Sequence, residues 1–433
     1  MSSIACYVDT NVKLHAVSDL IRRLVARGHD VTCYLPLEIH DSVAALLPSE
    51  VAIRDSAVVL QGQRFARALQ RRLRSAATAS WISETAVSRA GKPSAIKWMS
   101  NRFLRLLFAG CEPRFYNRRL ERLVSCFVSK RFAEDAVIVV TRPTERLIFT
   151  NRRTKVISVM ESWDHPSKDP LGFTSDLVIT WNSETANAWQ EYQGDQNVQI
   201  GYPTKLAYAL EACRNSLSDR PGIKQLLYPM TFCSTSGRGQ FEEEIRFVEM
   251  LARSLQQAGL KLNVKPKPNS VEGELSRLKM HCSNVSIGAY NRPCSNTYQL
   301  TELYNEVRLQ ELRQADGVIN LGTTFALDSA AYGLPVLQLE LQYRDEFPAL
   351  TKISSYDHLK STFLARPELT LKVTNVDSFK SLATKASVQN LFDERAFDFS
   401  SMLYHWIISG VDHENWEEQC CCEIEEVIVG AQR

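Results

Sequence analysis

The chain has 433 residues, of which 44% are hydrophobic and 23% charged, and its formal net charge is only +2. A chain of this length can bury a full core and exceeds one ordinary domain, so we expect two domains. The balanced charge excludes a disordered chain and a uniformly basic nucleic-acid-binding protein, so no nucleic acid partner is expected. The 11 cysteines show no paired CxxC spacing, which favours a reducing compartment.

The amino-terminal residues carry no targeting pattern. The segment 1–10 lacks the basic start and apolar core of a signal peptide, and no apolar stretch of about 18 residues occurs anywhere. We therefore expect a cytoplasmic protein, either soluble or peripheral on the inner face of the membrane.

The opening of the chain predicts a parallel α/β sheet. Residues 4–8 form an apolar run, a helical pattern covers 17–25, and a second apolar run covers 31–35. Parallel strands require a crossover connection, so this order predicts a βαβ unit. The alternation resumes further on, with strands predicted at 137–140, 156–159 and 177–180 and a helix at 183–192.

The segment 61–131 differs from its surroundings in charge. It holds sixteen lysines or arginines and three acidic residues, a local excess of thirteen positive charges. Its pattern is helical, with apolar faces supplied by Trp81, Trp98, Phe103, Leu104, Leu106, Leu107 and Phe108. A basic helical surface with an apolar face suits an anionic membrane surface. Pairing of these arginines with the acidic remainder of the chain and binding of an acidic glycan are the alternatives.

A second series of alternating elements follows a polar linker at 215–222. Strands are predicted at 225–229, 260–264, 285–287, 317–320 and 335–339, and helices at 241–258, 271–280, 304–313 and 325–332. We therefore predict two Rossmann-like, doubly wound domains, 1–210 with the basic helical insertion at about 61–131 and 222–380, followed by a carboxy-terminal helical segment over 381–433.

The first candidate site lies where the predicted strand 317–320 turns into a helix. Gly322, Thr323 and Thr324 form this turn, so unpaired backbone N–H groups and two hydroxyls face the carboxyl edge of the sheet. Such a turn predicts an anion site. A helix that is simply well capped by threonine is the structural alternative.

Two other loops are predicted at the same edge. The loop over 233–240 contains Ser236, Gly237 and Arg238, in which glycine permits close backbone approach and arginine can reach an oxyanion. The stretch after 260–264 offers Lys265 and Lys267, stiffened by prolines, although solvated surface charge is an equal alternative. Three such loops at one edge favour a phosphorylated ligand.

Candidates for a general base occur in the first half. Glu161, Asp164 and His165 follow the predicted strand 156–159 on one loop, and each can accept a proton from a hydroxyl. In the structural alternative, Trp163 packs in the core and the acids cap the following turn. Asp9 and His15, after the first strand, are rival candidates.

Several of these motifs resemble those of GT-B glycosyltransferases. The stretch 24–31, with its Arg-Gly-His turn, resembles the amino-terminal unit of that superfamily. The run 162–166, followed by 176–182 and 201–203, is similar to a run in bacterial surface-carbohydrate transferases of capsule and O-antigen synthesis. The segment 322–336 resembles the donor-phosphate helix of the same superfamily.

The resemblance implies particular roles where residues match. Thr323 and Thr324 are expected at the donor phosphate, Asp328 near the donor and Asp164 in the cleft between the two domains. Related polyol-phosphate and capsule-sugar transferases often carry an Arg-x-His-Pro or Lys-x-His-Pro signature, where this chain has Lys-Pro-Lys-Pro over 265–268. Lysine can neutralise a phosphate but does not act as an acid near neutral pH without a large pKa shift.

The combined evidence predicts transfer of a sugar from a UDP- or CMP-linked donor to a hydroxyl of a surface glycan, such as capsule or lipopolysaccharide, or of a lipid-linked acceptor. No bound metal or other cofactor is expected, because the chain lacks a DxD pair near a strand end and offers a helix N-terminus and cations instead. A nucleotide-sugar epimerase on the same fold and a non-catalytic sugar-nucleotide-binding subunit are the alternatives.

Overall fold

The structure is a computed structural model of the chain. It describes residues 1–8, 14, 17–40, 46–70, 124–141, 150–151, 153–160, 175–193, 198–201, 222–232, 238–267, 272–288, 308–355, 357–360, 362–412 and 414–430. Of the basic segment 61–131, only 61–70 and 124–131 are among them. The chain forms two compact units, one made of Met1–Lys205 and Ser409–Arg433 and the other of Leu206–Ile408.

The first unit contains a parallel sheet of seven strands in the order β3-β2-β1-β4-β5-β6-β7. The strands are β1 (Ser3–Tyr7), β2 (Asp30–Leu35), β3 (Ala52–Asp55), β4 (Ala136–Thr141), β5 (Lys155–Met160), β6 (Leu177–Thr180) and β7 (Val198–Ile200). The helices α1 (Ser18–Ala26), α2 (Ala57–Leu60) and α3 (Ser183–Gln193) belong to this unit, with short 3₁₀ turns at Leu37–Ile39 and Gln61–Gln63.

The second unit contains a sheet of six parallel strands in the order β10-β9-β8-β11-β12-β13. The strands are β8 (Gln225–Pro229), β9 (Lys261–Lys265), β10 (Val285–Ile287), β11 (Gly317–Asn320), β12 (Val336–Leu341) and β13 (Leu371–Val373). Its helices are α4 (Arg238–Gln257), α5 (Glu272–His281), α6 (Phe325–Ala331), α7 (Pro348–Thr351), α8 (Asp357–Lys360), α9 (Lys385–Leu391) and α10 (Phe397–Ile408). Residues 308–314 are also helical.

The last helix, α11 (Trp416–Gly430), returns to the first unit. The segment predicted over 381–433 therefore does not form one piece, because α9 and α10 belong to the second unit. Helix α11 packs on α1 and on strands β5 to β7, and it buries Cys420, Cys421, Ile424 and Ile428. Burial of this apolar face explains why the chain crosses back.

An ionic cluster holds α11 against the turn after α1. Arg27 Nε donates to Glu425 Oε1 at 2.8 Å, and His29 Nε2 lies 2.8 Å from the same oxygen. Hydrogen bonding to the Arg27 guanidinium lowers the pKa of the Glu425 carboxyl to about 2. Between the two basic residues, Gly28 has a φ of 85°, which ends α1 at little steric cost.

The predicted two-domain α/β architecture is confirmed. Each predicted strand that falls among the described residues is present, and the sheets have the 3-2-1-4-5-6 order of a doubly wound fold. Three strands were not predicted: β3, β7 and β13. None of the three has a continuous buried run, since each is short and has exposed or half-buried residues.

Candidate functional site

The carboxyl edge of the second sheet is the candidate site. Strands β8 and β11 are neighbours, but the chain continues from β8 to β9 on one side and from β11 to β12 on the other, so the strand order reverses between them. In open α/β sheets such a reversal of strand order is where ligands bind. The loops that follow β8 and β11 therefore begin at the same place.

The turn after β11 is organised by Asn320. Its Oδ1 accepts hydrogen bonds from Thr323 N at 3.1 Å and from Thr323 Oγ1 at 2.8 Å, while its Nδ2 donates to Gln338 Oε1 at 2.7 Å. Thr324, the residue before α6, is exposed and its side chain makes no capping hydrogen bond. The Thr323 hydroxyl is thus used within the turn, and the Thr324 hydroxyl faces solvent.

Gly322 is required in this turn by close packing. A Cβ placed on Gly322 would lie 2.5 Å from Ile353 Cγ2, so any larger residue would displace that side chain. Helix α6 then ends at Gly333, which has a φ of 76°, and the Leu334 N–H donates to Ser329 O at 2.9 Å. The predicted helix and its glycine stop are both present.

Lys265, at the end of β9, is mostly enclosed by protein. Its Nζ pairs with Glu311 Oε2, and their side chains are only 10% and 6% exposed. The same nitrogen lies 5.4 Å from the centroid of the Phe325 ring. Lys265, which was predicted to bind a phosphate, therefore already has a buried carboxylate partner. Lys267, two residues later, is exposed.

A second buried ion pair lies on the elements next to the first. Arg308 Nη1 is 3.1 Å from Asp328 Oδ2, and these side chains are 9% and 10% exposed. Burial raises the pKa of the Glu311 carboxyl, and the positive charges of Lys265 and, to a smaller extent, Arg308 oppose this increase. Asp328, predicted near the donor, is thus held by a cation of its own chain.

Glu244 anchors the start of the loop after β8. This fully buried carboxylate on α4 accepts hydrogen bonds from Thr231 N and Phe232 N, both at 2.7 Å, and from Tyr228 Oη at 3.0 Å. Burial raises its pKa to about 7, although these hydrogen bonds and the charge of Lys267 oppose the shift. Glu244 therefore fixes the backbone from which the glycine-containing loop leaves.

The sequence analysis did not identify Glu244, Arg308 or Glu311 as site residues. A signal existed for each, since a charged residue occupies an apolar-face position of a helix. Glu244 shares a face with Phe241, Val248 and Leu251 by helical spacing, and all three are buried. Charged residues at such positions are almost always paired.

Many predicted site residues lie outside the described residues. These are Asp9, His15, Glu161, Asp164, His165, Ser236 and Gly237, and the side chain of Arg238, whose backbone opens α4. The donor residues that the structure places are Lys265, Lys267, Gly322, Thr323, Thr324 and Asp328. Of these, Lys265 and Asp328 belong to the two buried ion pairs described above.

Residues of the surface-carbohydrate motif have structural contacts in the first unit. Asp176 accepts from Val156 N at 2.8 Å, and Trp181 Nε1 donates to Met160 O at 2.9 Å. Asn182 Oδ1 accepts from Thr185 N at 2.9 Å at the start of α3. These three residues join β5, β6 and α3 together.

The described part of the chain contains neither a cluster of metal-binding side chains nor a membrane-spanning helix. No group of three or more His, Cys, Asp or Glu residues there could hold a metal ion. Among the same residues, no helix has the length and apolar character needed to cross a bilayer.

Comparison with known proteins gives matches in structure alone. No family model and no curated protein matches the sequence. The structure resembles Staphylococcus aureus MnaA solved with UDP, with a TM-score of 0.51 and 11% identity over 99% of this chain and 97% of the other.

A putative UDP-N-acetylglucosamine 2-epimerase from Listeria monocytogenes gives the same TM-score of 0.51, with 9% identity over 99% of this chain and 97% of that one. The calicheamicin glycosyltransferase CalG4 gives a TM-score of 0.47 and 12% identity over 99% and 98% of the two chains. At these identities the likeness concerns the fold. The two doubly wound units and the two full-length matches with a TM-score of 0.51 show that the chain has the GT-B fold.

Proposed function

We propose that this chain is a glycosyltransferase that moves a sugar from a nucleotide-activated donor to a hydroxyl of a surface glycan or lipid-linked acceptor. The observation that carries the proposal is that Lys267, the Glu244-anchored loop and Thr324 follow three adjacent strands, β9, β8 and β11, at the carboxyl edge of the second sheet. Backbone N–H groups, a solvent-facing hydroxyl and a cation at one edge suit a diphosphate.

A nucleotide donor is supported by the comparison. One structural neighbour was solved with UDP, and another is a putative enzyme of a UDP-sugar. In the proposed reaction, the bond between the sugar's anomeric carbon and the donor phosphate oxygen breaks, and the nucleotide leaves with the electron pair. The edge of the second sheet stabilises the negative charge that develops on the leaving group, without a bound metal.

The acceptor hydroxyl loses its proton to a general base as it attacks the anomeric carbon. We propose Asp164 for this role, with Glu161, His165, Asp9 and His15 as the next candidates. Asp164→Asn is then expected to lower the transfer rate to less than about one hundredth of wild type while donor binding survives, because the carboxylate acts only in the chemical step. Activity within about a factor of three of wild type would move the role to another candidate.

The experiment that tests the donor class is a thermal-shift series with UDP, CMP, GDP and dTDP. A ligand that binds only the folded protein raises its melting temperature by mass action. We expect one nucleotide to raise it well above the other three at equal concentration. No shift with any of the four would contradict a nucleotide-dependent function.

A nucleotide-sugar epimerase is the second candidate, because one neighbour with a TM-score of 0.51 is a putative UDP-N-acetylglucosamine 2-epimerase. An epimerase converts free nucleotide sugar without an acceptor, and the product keeps its nucleotide. Incubation of the matching nucleotide sugar with and without a glycan acceptor, followed by NMR of the products, distinguishes the two. Nucleotide binding without either product would indicate a non-catalytic binding subunit.

A further inference from the structure

The first unit contains a cavity at the carboxyl edge of its own sheet. Strand β2 ends at Leu35 and β3 ends at Asp55, and the residues after both strands line a space of about 630 Å³. Pro36, Leu37 and Leu60 are apolar parts of its wall. The volume lies within the range of about 300–1,000 Å³ typical of small-molecule sites.

One wall of the cavity is a single helical face. Leu60, Gln61, Arg64, Arg67 and Ala68 all line it. Residues 64–70 form a helix that continues the 3₁₀ turn Gln61–Gln63, and Gln61, Arg64, Arg67 and Ala68 follow one another there at spacings of three or one, with Arg64 and Ala68 four apart. Arg64 and Arg67 therefore lie one helical turn apart, and both line the cavity.

This wall is fixed at its start and along its length. Asp55 Oδ1 accepts a hydrogen bond from Ala57 N at 2.9 Å, which fixes the backbone where α2 begins. Further along, Gln63 Nε2 donates to Lys130 O at 3.1 Å, and a Cβ on Gly62 would lie 2.6 Å from Lys130 Cβ. The backbone of Lys130 thus holds the wall in position from outside the cavity.

The charges of the lining residues are arranged unevenly. Arg67 Nε is buried and has no hydrogen-bond partner among the residues described, so a donor on this wall is left unused. The Asp55 carboxylate already accepts a backbone hydrogen bond, and exposed Glu38 lies on the segment after β2. An anion would therefore bind at the helical wall, away from Glu38.

We infer that this cavity binds an amphipathic anion, in which a phosphate or carboxylate meets Arg64 and Arg67 and an attached apolar portion contacts Leu37 and Leu60. Arginine presents a planar fork of donors that matches both anionic groups. Leu37 is 65% exposed and gains most from being covered by an apolar ligand. Identification of this ligand as the sugar acceptor rests on the proposed glycosyl transfer.

The test is isothermal titration of the full chain with octyl phosphate below its aggregation concentration. Octanoate serves as the carboxylate probe, and inorganic phosphate and octanol carry the two halves of the ligand separately. We expect saturable binding of octyl phosphate or octanoate, at least about tenfold tighter than either half alone, which corresponds to about 1.4 kcal/mol. Arg64→Gln/Arg67→Gln is expected to weaken the tighter probe by at least about tenfold.

The matched control is Arg246→Gln/Arg253→Gln, which removes two exposed arginines of the second unit. It should leave binding unchanged. Ala68→Trp fills the cavity but keeps both arginines, and it should also abolish binding. This second variant decides the question if circular dichroism shows that the arginine variant does not fold. Equal loss in the control, equal binding of inorganic phosphate, or no binding of either amphipathic probe would overturn the inference.

Nucleotide binding measured on the same samples separates this inference from the proposed function. If the wild-type chain binds octyl phosphate but no nucleotide, the proposed transfer is contradicted and the inferred anion site is still supported. Retained nucleotide binding without either amphipathic probe would remove the anion site and leave the proposed transfer in place.

Discussion

The two sheets share a strand order, yet their carboxyl edges are built differently. At the edge of the second sheet, Lys265 pairs with Glu311, Arg308 pairs with Asp328, and Glu244 binds the next loop. At the edge of the first sheet, Arg64 and Arg67 line a cavity, and a donor of Arg67 is unused. The comparison suggests that charge in the second unit sets geometry, whereas charge in the first is available to a ligand.

The largest expected effect comes from breaking the Lys265–Glu311 pair. Lys265→Ala leaves a buried carboxylate without its cation, which should destabilise the second unit by about 3–5 kcal/mol. Lys265→Met/Glu311→Leu removes both charges and should recover most of that loss. Urea unfolding followed by tryptophan fluorescence measures both variants.

The exposed pair Arg366–Glu368 is the control for this measurement, since its side chains are 58% and 55% exposed. Arg366→Ala should cost less than about 1 kcal/mol. If Lys265→Ala costs no more than Arg366→Ala, the buried pair does not hold the edge. Nucleotide affinity of the double variant then tests Lys265 as a donor ligand.

A pH effect is expected from Glu244. Its folded-state pKa of about 7 exceeds the ordinary value of 4.5, so the folded protein retains a proton that the unfolded chain releases between these values. The stability contributed by this proton is fully present below about pH 4.5, falls as the pH rises, and is gone above about pH 7. A difference of roughly 2.5 pKa units corresponds to about 3 kcal/mol across this window.

Glu244→Gln lacks the titrating group and should lose this slope. Urea unfolding at pH 5, 6, 7 and 8 should show wild-type stability falling relative to the variant up to about pH 7 and running parallel above it. Parallel curves over the whole range would mean that Glu244 is not buried as a titrating carboxyl. Arg64→Gln, a change in the first unit, keeps Glu244 and should leave the pH dependence of wild-type stability unchanged.

Sequence patterns predicted well those strands whose residues form a continuous apolar run. Strands such as β6 and β11 have the predicted bounds, because a continuous apolar run reports its own burial. Helix α11 shows the limit of that reasoning. Its spacing indicates which face is buried, but packing against α1, nearly 400 residues away in sequence, depends on tertiary contacts that no local pattern encodes.

The positions of several candidate residues in the second sheet were predictable, but their ion-pair partners were not. The glycine-threonine turn and Lys265 were expected at one strand edge, and the structure places them there. That Lys265 pairs with Glu311 and Asp328 with Arg308 was not predicted, because the partners lie on a helix whose register across the sheet follows from packing. Sequence analysis thus finds chemical groups more readily than the neighbours that neutralise them.

A smaller effect separates the two threonines of the second edge. Thr323→Val removes a hydroxyl that donates to Asn320, so it should lower both stability and nucleotide affinity by roughly 1–3 kcal/mol. Thr324→Val removes an exposed hydroxyl and should leave stability unchanged while weakening nucleotide binding by about 1 kcal/mol. Unchanged nucleotide affinity in both variants would exclude this turn from the donor site.

A comparably small effect is expected at the surface beside the first-unit cavity. Phe65 and Phe127 are 61% and 50% exposed, and their ring centroids lie 5.2 Å apart at the two described ends of the basic segment 61–131. Exposed aromatic rings beside clustered cations suit insertion into an anionic bilayer surface. Sedimentation with vesicles rich in anionic lipid should therefore pellet the protein, with little binding to neutral vesicles and release as salt rises to a few hundred millimolar.

Phe65→Ser/Phe127→Ser should weaken vesicle binding by roughly 1–2 kcal/mol, since part of the buried apolar area is lost. Phe397→Ser, which changes an aromatic residue of the second unit that is 57% exposed, is the control and should bind like wild type. Absence of pelleting with anionic vesicles at low salt would leave the basic segment as a soluble acceptor site or a scaffold, and the comparison between the two edges would then rest on the cavity alone.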